Sequence, residues 1–224
     1  GIYIDHFLPG ASWVYGKGLF TPYLESIVGE HVHDERIFMW DLCNEPFSYL
    51  VPPSEITEVE QAEFTWLKGI FDKCKRLGAR APLCVGDHAF NYNLHGISGI
   101  KRIEPISEVL TIHPYFKGKE MEKTGFEMLL DDYVEFSLRV KKPLLATETC
   151  WGSLDDLERA RIIRYTLGEL NKRKIGWIVH ALHHSLVADL HRAQFAPMPK
   201  CGHFSFIETD GSLRPYHQVW NEFA

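Results

Sequence analysis

Short apolar runs alternate along this chain with longer stretches in which apolar residues recur every three or four positions. The runs lie at 36–43, 82–86, 109–116, 143–149 and 176–182. Several are apolar at successive positions, the pattern of strands buried on both faces in a parallel sheet covered by helices. Between the first two runs, Phe64, Leu67, Phe71, Cys74 and Leu77 keep helical spacing. Thr57-Glu58-Val59-Glu60 reads as the capping box of that helix and Gly78 as its stop, with Val51-Pro52-Pro53-Ser54 a rigid loop ahead of it. Residues 126–140 read as a second helix, with Pro143 opening the next strand. Ser153-Leu154-Asp155-Asp156 reads as a cap for a third, whose apolar side is Leu157, Ala160, Ile163, Leu167 and Leu170. The tail, Asp210-Gly211-Ser212-Leu213-Arg214-Pro215, reads as a turn into a closing helix near Trp220 and Phe223.

Alternating strands and helices with both sheet faces covered leave a doubly wound sheet or a β/α barrel. No glycine-rich phosphate turn follows any run, which removes the best support for a nucleotide-binding sheet. Candidate chemistry instead stands at the C-terminal ends of three runs, where barrel enzymes carry their sites. The expectation is therefore one α/β domain over 1–224, a (β/α)8 TIM barrel. The count falls short of eight strands. Residues 19–32 read as helix through Leu24, Ile27 and Val28, which leaves room for one strand near residues 2–8. Six strands are then legible, and an open parallel barrel exposes strand edges. The expectation is an N-terminally incomplete barrel, strands three to eight, or one completed by another polypeptide.

Composition narrows the class of partner. At 224 residues, the chain is long enough to bury a substantial core, and a 45% hydrophobic content is ordinary for a water-exposed fold. A formal charge of −6 without a basic cluster argues against nucleic acid. The chain opens Gly1-Ile2-Tyr3-Ile4-Asp5, with no initiator Met, basic leader or long apolar stretch. No signal peptide or membrane span is legible in it, secretion stays open to a start that precedes Gly1, and no membrane partner is expected. Cys43, Cys74, Cys84, Cys150 and Cys201 are widely spaced, odd in number and without a CxxC pair. They read as buried free thiols, which leans toward the cytoplasm without fixing the compartment.

The chemistry-bearing residues sit where apolar runs end. The run from Ile37 to Cys43 delivers Asn44-Glu45-Pro46, and that from Pro143 to Thr147 delivers Glu148. His113-Pro114-Tyr115 ends the run between them. Two carboxyl groups at strand mouths suit glycoside hydrolysis, in which one serves as acid and one as carboxylate. His113 and Tyr115 are two apart and project to one face, so the Tyr115 hydroxyl can hold Glu148 while His113 orients the network. Glu45 needs a raised pKa for the acid role, and Glu148 must be ionised. No cofactor is expected.

Together, Trp40-Asp41-Leu42-Cys43-Asn44-Glu45-Pro46, His113-Pro114-Tyr115 and Thr147-Glu148 resemble a clan A glycoside hydrolase, closest to the cellulase-type family 5. The resemblance spans roughly residues 20–190. It implies Glu45 as acid/base, Glu148 as nucleophile and Asn44 as the contact to the sugar 2-hydroxyl, in a retaining cleavage of a β-glucan or related β-linked glycan. Departures from the family bear on the reading. The usual Arg at the end of the second strand has no counterpart. The place of the usual eighth-strand Trp holds Ala181-Leu182-His183-His184-Ser185. Trp177 opens that strand and is expected toward the barrel bottom as core, while Trp151 is the candidate for stacking on sugar. His180, His183, His184 and His191 with Asp189 form a metal-like cluster whose spacing does not fit a helix pair. A polar loop in which His183 or His184 contacts sugar hydroxyls fits better, so no metal is expected. Asp87-His88 is placed to line the same cleft. The alternative is an inactive or fragmentary barrel that binds carbohydrate without turnover.

Overall fold

A computed structural model describes residues 21–47, 53–88, 96–182, 202–208 and 210–223, with the side chains of 53–59 excepted. The strand expected near residues 2–8, the Thr57 cap, and His183, His184, Asp189, His191 and Cys201 lie outside what is described. Five strands take the order β1-β2-β3-β4-β5 in one sheet, matching the five apolar runs. The chain divides into two compact units, one of residues up to 90 with 97–111, the other of 91–96 with 112–224.

The first unit opens with a short helix, α1 (Thr21–Leu24), that runs into a π-helical turn at Glu25–Gly29. Strand β1 (Trp40–Asn44) starts later than the run at 36 suggested. The reason is local. Arg36 donates to Asp34 from its backbone N–H at 3.0 Å and its guanidinium at 2.9 and 2.7 Å, which folds 34–36 into a turn. Helix α2 (Pro53–Leu77) begins ahead of the expected capping box, with the proline in its first turn, where no intrahelical N–H is needed. It ends as Gly78 predicted. Gly78 takes φ +91, its N–H bonds to Lys75 at 3.0 Å and that of Ala79 to Cys74 at 3.1 Å, the paired bonds of a Schellman stop.

The buried stripe of α2 is Glu63, Leu67, Ile70 and Cys74, rotated slightly from the expected Phe64–Phe71 line. Ile70 and Cys74 meet Val28, Ala79 and Leu83 in the core of this unit. Strand β2 (Leu83–His88) pairs in parallel with β1 and is buried along nearly its whole length. Helix α3 (Ser98–Ile103) and a 3-10 turn at Glu104–Ile106 lead to β3 (Leu110–His113). The Thr111 hydroxyl donates to the Val85 carbonyl at 2.9 Å.

The second unit takes up the end of β3 and continues through α4 (Lys123–Val140), β4 (Leu144–Ala146), α5 (Asp156–Lys172) and β5 (Gly176–Trp177). Strands β4 and β5 are parallel. The cap of α5 is Asp155, not Ser153: its carboxylate accepts the Glu158 N–H at 2.7 Å. Ser153 stands outside the helix: its hydroxyl accepts the Asp155 N–H at 3.1 Å, and its backbone forms a two-way bridge with His203 at 3.3 and 2.9 Å. Leu157 is also exposed, because the buried side of α5 turns toward Arg159, Ile162, Ile163, Thr166, Leu167 and Leu170. In the tail, the Asp210 carboxylate accepts the Ser212 N–H at 2.9 Å in the expected turn, but the closing helix is 3-10, at His217–Glu222. Cys43, Cys74, Cys84 and Cys150 are buried and outside any disulfide. Burial pushes the Cys84 and Cys150 thiols up to about 12. Among the described residues, no helix is long and apolar enough to cross a membrane.

Candidate active site

The Glu45 loop belongs to the first unit. β1 breaks register between Asp41 and Asn44, and the Asp41 carboxylate fills the break by accepting N–H groups of Cys43 at 3.4 Å and Gly86 at 3.2 Å. Glu45 follows with φ 49 and donates its N–H to the Gly86 carbonyl at 3.1 Å. Phe47 takes φ 61 and donates its N–H to the Glu63 carboxylate at 2.9 Å. Positive φ at two residues other than glycine is unfavourable by itself, so these bonds hold the loop in shape. His88 Nε2 lies 3.7 Å from Glu45 Oε1, near enough for an ion pair when the imidazole is protonated. Asp87, beside it, is buried against Gly99, where any side chain would collide with the carboxylate. Asn44 ends β1 and borders a groove of about 580 Å³ shared with Tyr23, Trp40, Leu42 and Trp66.

The Glu148 loop belongs to the second unit and is held differently. Thr147 donates its N–H to Ile112 at 3.1 Å, and the Thr149 hydroxyl donates to the Pro114 carbonyl at 2.6 Å. The Thr149 carbonyl accepts the His180 N–H at 2.9 Å. The carboxylate itself is then gripped: the Tyr115 hydroxyl donates to Glu148 Oε1. His180 Nδ1 stands 3.3 Å from that hydroxyl and 3.6 Å from Oε1. His113, buried at the end of β3, places Nδ1 3.9 Å from Oε2. Tyr115 and His113 therefore approach different oxygens of one carboxylate, His113 from the end of β3 and Tyr115 from just beyond it.

Trp151 meets Tyr115 edge-on at 5.3 Å and Phe204 at 5.1 Å, with the Lys117 ammonium 5.1 Å from its ring centre. Phe204 also contacts Tyr115 at 6.2 Å and His180 at 5.6 Å. Behind this cluster lies Arg159, wholly buried in α5. Its guanidinium donates to the carbonyls of Ser205 and Phe204, and to that of His180 at 3.4 Å. Arg159 Nη1 is also 3.1 Å from His217 Nε2. A guanidinium only donates, so Nε2 accepts and the His217 proton sits on Nδ1, which faces the Pro215 carbonyl at 2.8 Å. Burial, reinforced by Arg159, holds the His217 pKa below the ordinary imidazole value.

Of the residues singled out from sequence, the first unit joins Glu45 to His88 and the second joins His113, Tyr115 and Glu148, with Trp151 packed on Tyr115. His180 was read as part of a metal-like cluster and instead stands at Glu148. Trp177 is not core: it is half-buried, and its indole N–H bonds to Asn171 at 2.8 Å. β5 is too short to carry it inward. Phe204, Arg159 and Glu63 escaped the sequence reading. For the two charged residues a signal existed, since each stands in the apolar stripe of an amphipathic helix.

No protein-family model and no curated protein matches this chain in sequence. Solved structures do match its fold. A β-glucuronidase of Bacteroides uniformis superposes with a TM-score of 0.71 at 16% identity, covering 96% of this chain and 26% of its own. An endoglucanase of Thermotoga maritima gives 0.64 at 14% identity, covering 97% of this chain and 69% of its own. The GH53 catalytic domain of Ignisphaera aggregans gives 0.56 at 16%, covering 90% and 66%. The chain thus has an α/β fold shared with glycoside hydrolases, and spans about a quarter of the glucuronidase's length. At these identities the likeness extends to fold alone.

Proposed function

We propose that this chain is the catalytic part of a retaining glycoside hydrolase, its sheet an arc of a (β/α)8 barrel, acting on a β-glucan or related β-linked glycan. The observation that carries the reading is the hydrogen bond from Tyr115 to Glu148 Oε1 at a strand end. A hydroxyl donated to one oxygen fixes the carboxylate's rotamer, leaving Oε2 as the attacking atom. Attack of Oε2 on the anomeric carbon forms a glycosyl ester as the bond to the leaving oxygen breaks, and Glu45 gives that oxygen its proton. Water then attacks the same carbon, Glu45 takes its proton and the ester bond to Glu148 breaks. Such a mechanism requires the two carboxyls to stand about 5–5.5 Å apart. Asn44 contacts the 2-hydroxyl, Trp151 stacks on the sugar, and His88, His183 and His184 contact hydroxyls.

The fold shared with an endoglucanase and a glucuronidase supports the reaction class, and the order of the three motifs supports the roles. Proton NMR of products released from a β-cellobioside tests it. The β anomer should appear first and mutarotate later. First appearance of the α anomer, or glycan binding with no release of product, would overturn the reading, the latter in favour of a barrel that only binds carbohydrate.

A further inference from the structure

On helix α2 the stripe of buried positions is 63, 67, 70 and 74, filled by Glu, Leu, Ile and Cys. Glu63 is only 3% exposed, yet three of these four positions are apolar. A buried carboxylate is costly unless hydrogen-bonded, and packing alone would favour Leu or Met at that position. A helix that breaks its own apolar pattern at one residue marks a place where something other than stability decided the residue. The carboxylate bonds to the loop that carries Glu45: Glu63 Oε2 accepts the Phe47 N–H at 2.9 Å.

Two backbone bonds anchor that loop. Of residues 45 to 47, Pro46 has no N–H to offer, so Glu45 and Phe47 supply the only two backbone donors. Glu45 bonds to Gly86 on β2 and Phe47 bonds to Glu63 on α2. Both residues have positive φ, at 49 and 61, so each end of the turn is held against its own preference. Arg102 completes the far wall, its guanidinium 4.8 Å from the Phe47 ring centre and 2.8 Å from the Glu60 carboxylate. The Glu45 side chain thus leaves the backbone between one anchor on the sheet and one on the helix.

We infer that Glu63 is a positioning residue for the acid/base Glu45, acting through the Phe47 amide and not through contact with substrate. The inference rests on the acid/base reading of Glu45 and adds to it the group that fixes its reach. A carboxyl displaced by about 1 Å from the leaving oxygen loses on the order of 100-fold in rate. The loss falls on proton donation. It should therefore be large for leaving groups that need a proton and small for those that depart as stable anions.

The experiment compares Glu63→Leu with Glu63→Gln on phenyl and 2,4-dinitrophenyl β-cellobiosides. Glu63→Leu removes the acceptor of the Phe47 N–H and should lose kcat on the phenyl substrate by about 100-fold. On the dinitrophenyl substrate the glycosylation step should change by less than about threefold, since that leaving group needs no acid. Glu63→Gln keeps an oxygen acceptor and should recover most of the rate. Equal loss on both substrates, or no loss on either, overturns the inference. Glu45→Gln run in parallel separates the two claims. If it lacks the leaving-group signature, the acid role of Glu45 is wrong and the positioning role falls with it; if it shows the signature and Glu63→Leu does not, only the positioning role fails. Amide hydrogen exchange adds a readout independent of turnover: Phe47 should be protected in the parent and in Glu63→Gln, and fast in Glu63→Leu. A fast Phe47 amide in the parent overturns the inference.

Discussion

The Glu148 loop and the Glu45 loop place their carboxyl groups by different means. Glu148 is held at the side chain, by a hydroxyl on one oxygen and by imidazoles at 3.6 and 3.9 Å from its two oxygens. Glu45 is set through the backbone, by N–H bonds on either side of a proline, with one imidazole at 3.7 Å. The contrast matches what the proposed chemistry asks of each. A nucleophile works best as a fixed anion. An acid/base gives up a proton and takes one back, and fixing its backbone gives aim without fixing its charge.

The comparison can be broken at its strongest point. Glu148→Gln should lower kcat by at least about 10⁴-fold on any aryl β-glycoside, as expected for loss of a nucleophile. A smaller loss would move the nucleophile elsewhere. Glu45→Gln should cost about 10²- to 10⁴-fold, confined to poor leaving groups. Tyr115→Phe removes the donor from Glu148 and should cost about 10- to 100-fold in kcat, with KM nearly unchanged, since the bond is to a charged group worth about 1.5–3 kcal/mol. A change in KM alone would reassign Tyr115 to substrate binding.

Smaller effects probe the scaffold behind the Glu148 loop. Asp155→Ala should lower stability by about 1 kcal/mol in thermal or urea unfolding, and Ser153→Ala by less, because the former caps α5. His217 sets a pH window. Its folded pKa lies below the ordinary value of about 6.5, so on acidification the unfolded chain binds the proton first and stability falls below about pH 6.5. Unfolding midpoints measured between pH 7 and 5 should show that slope in the parent and a shallower one in His217→Gln.

Much of the sheet was legible in the sequence because its strands write themselves as apolar runs. Only β2 and β3 are buried along nearly their whole length, while β1, β4 and β5 are partly exposed. Five runs matched five strands, and Gly78 marked a helix end through the one conformation it alone takes easily. What could not be read was decided by long-range partners. Ser153 looks like a helix cap until His203, fifty residues on, claims its backbone. Trp177 looks like core until β5 proves two residues long. His180 reads as a metal-type histidine from its neighbours in sequence, and only the fold shows it beside Tyr115. The expected contact of Tyr115 with Glu148 is present, although Tyr115 stands just past the end of β3, where strand parity no longer fixes a direction. Glu63 and Arg159 were passed over although each is a charge in an apolar stripe, a mark visible without any structure.

The central claim is that Glu148 forms a covalent bond to the sugar while Glu45 handles the proton. Incubation with a 2-deoxy-2-fluoro β-glycoside bearing a dinitrophenyl leaving group, followed by peptide mapping by mass spectrometry, tests it directly. The account predicts one fluoroglycosyl adduct, on the peptide containing Glu148 and on that residue. An adduct on Glu45 or any other side chain, or release of dinitrophenol in turnover with no adduct, would contradict it.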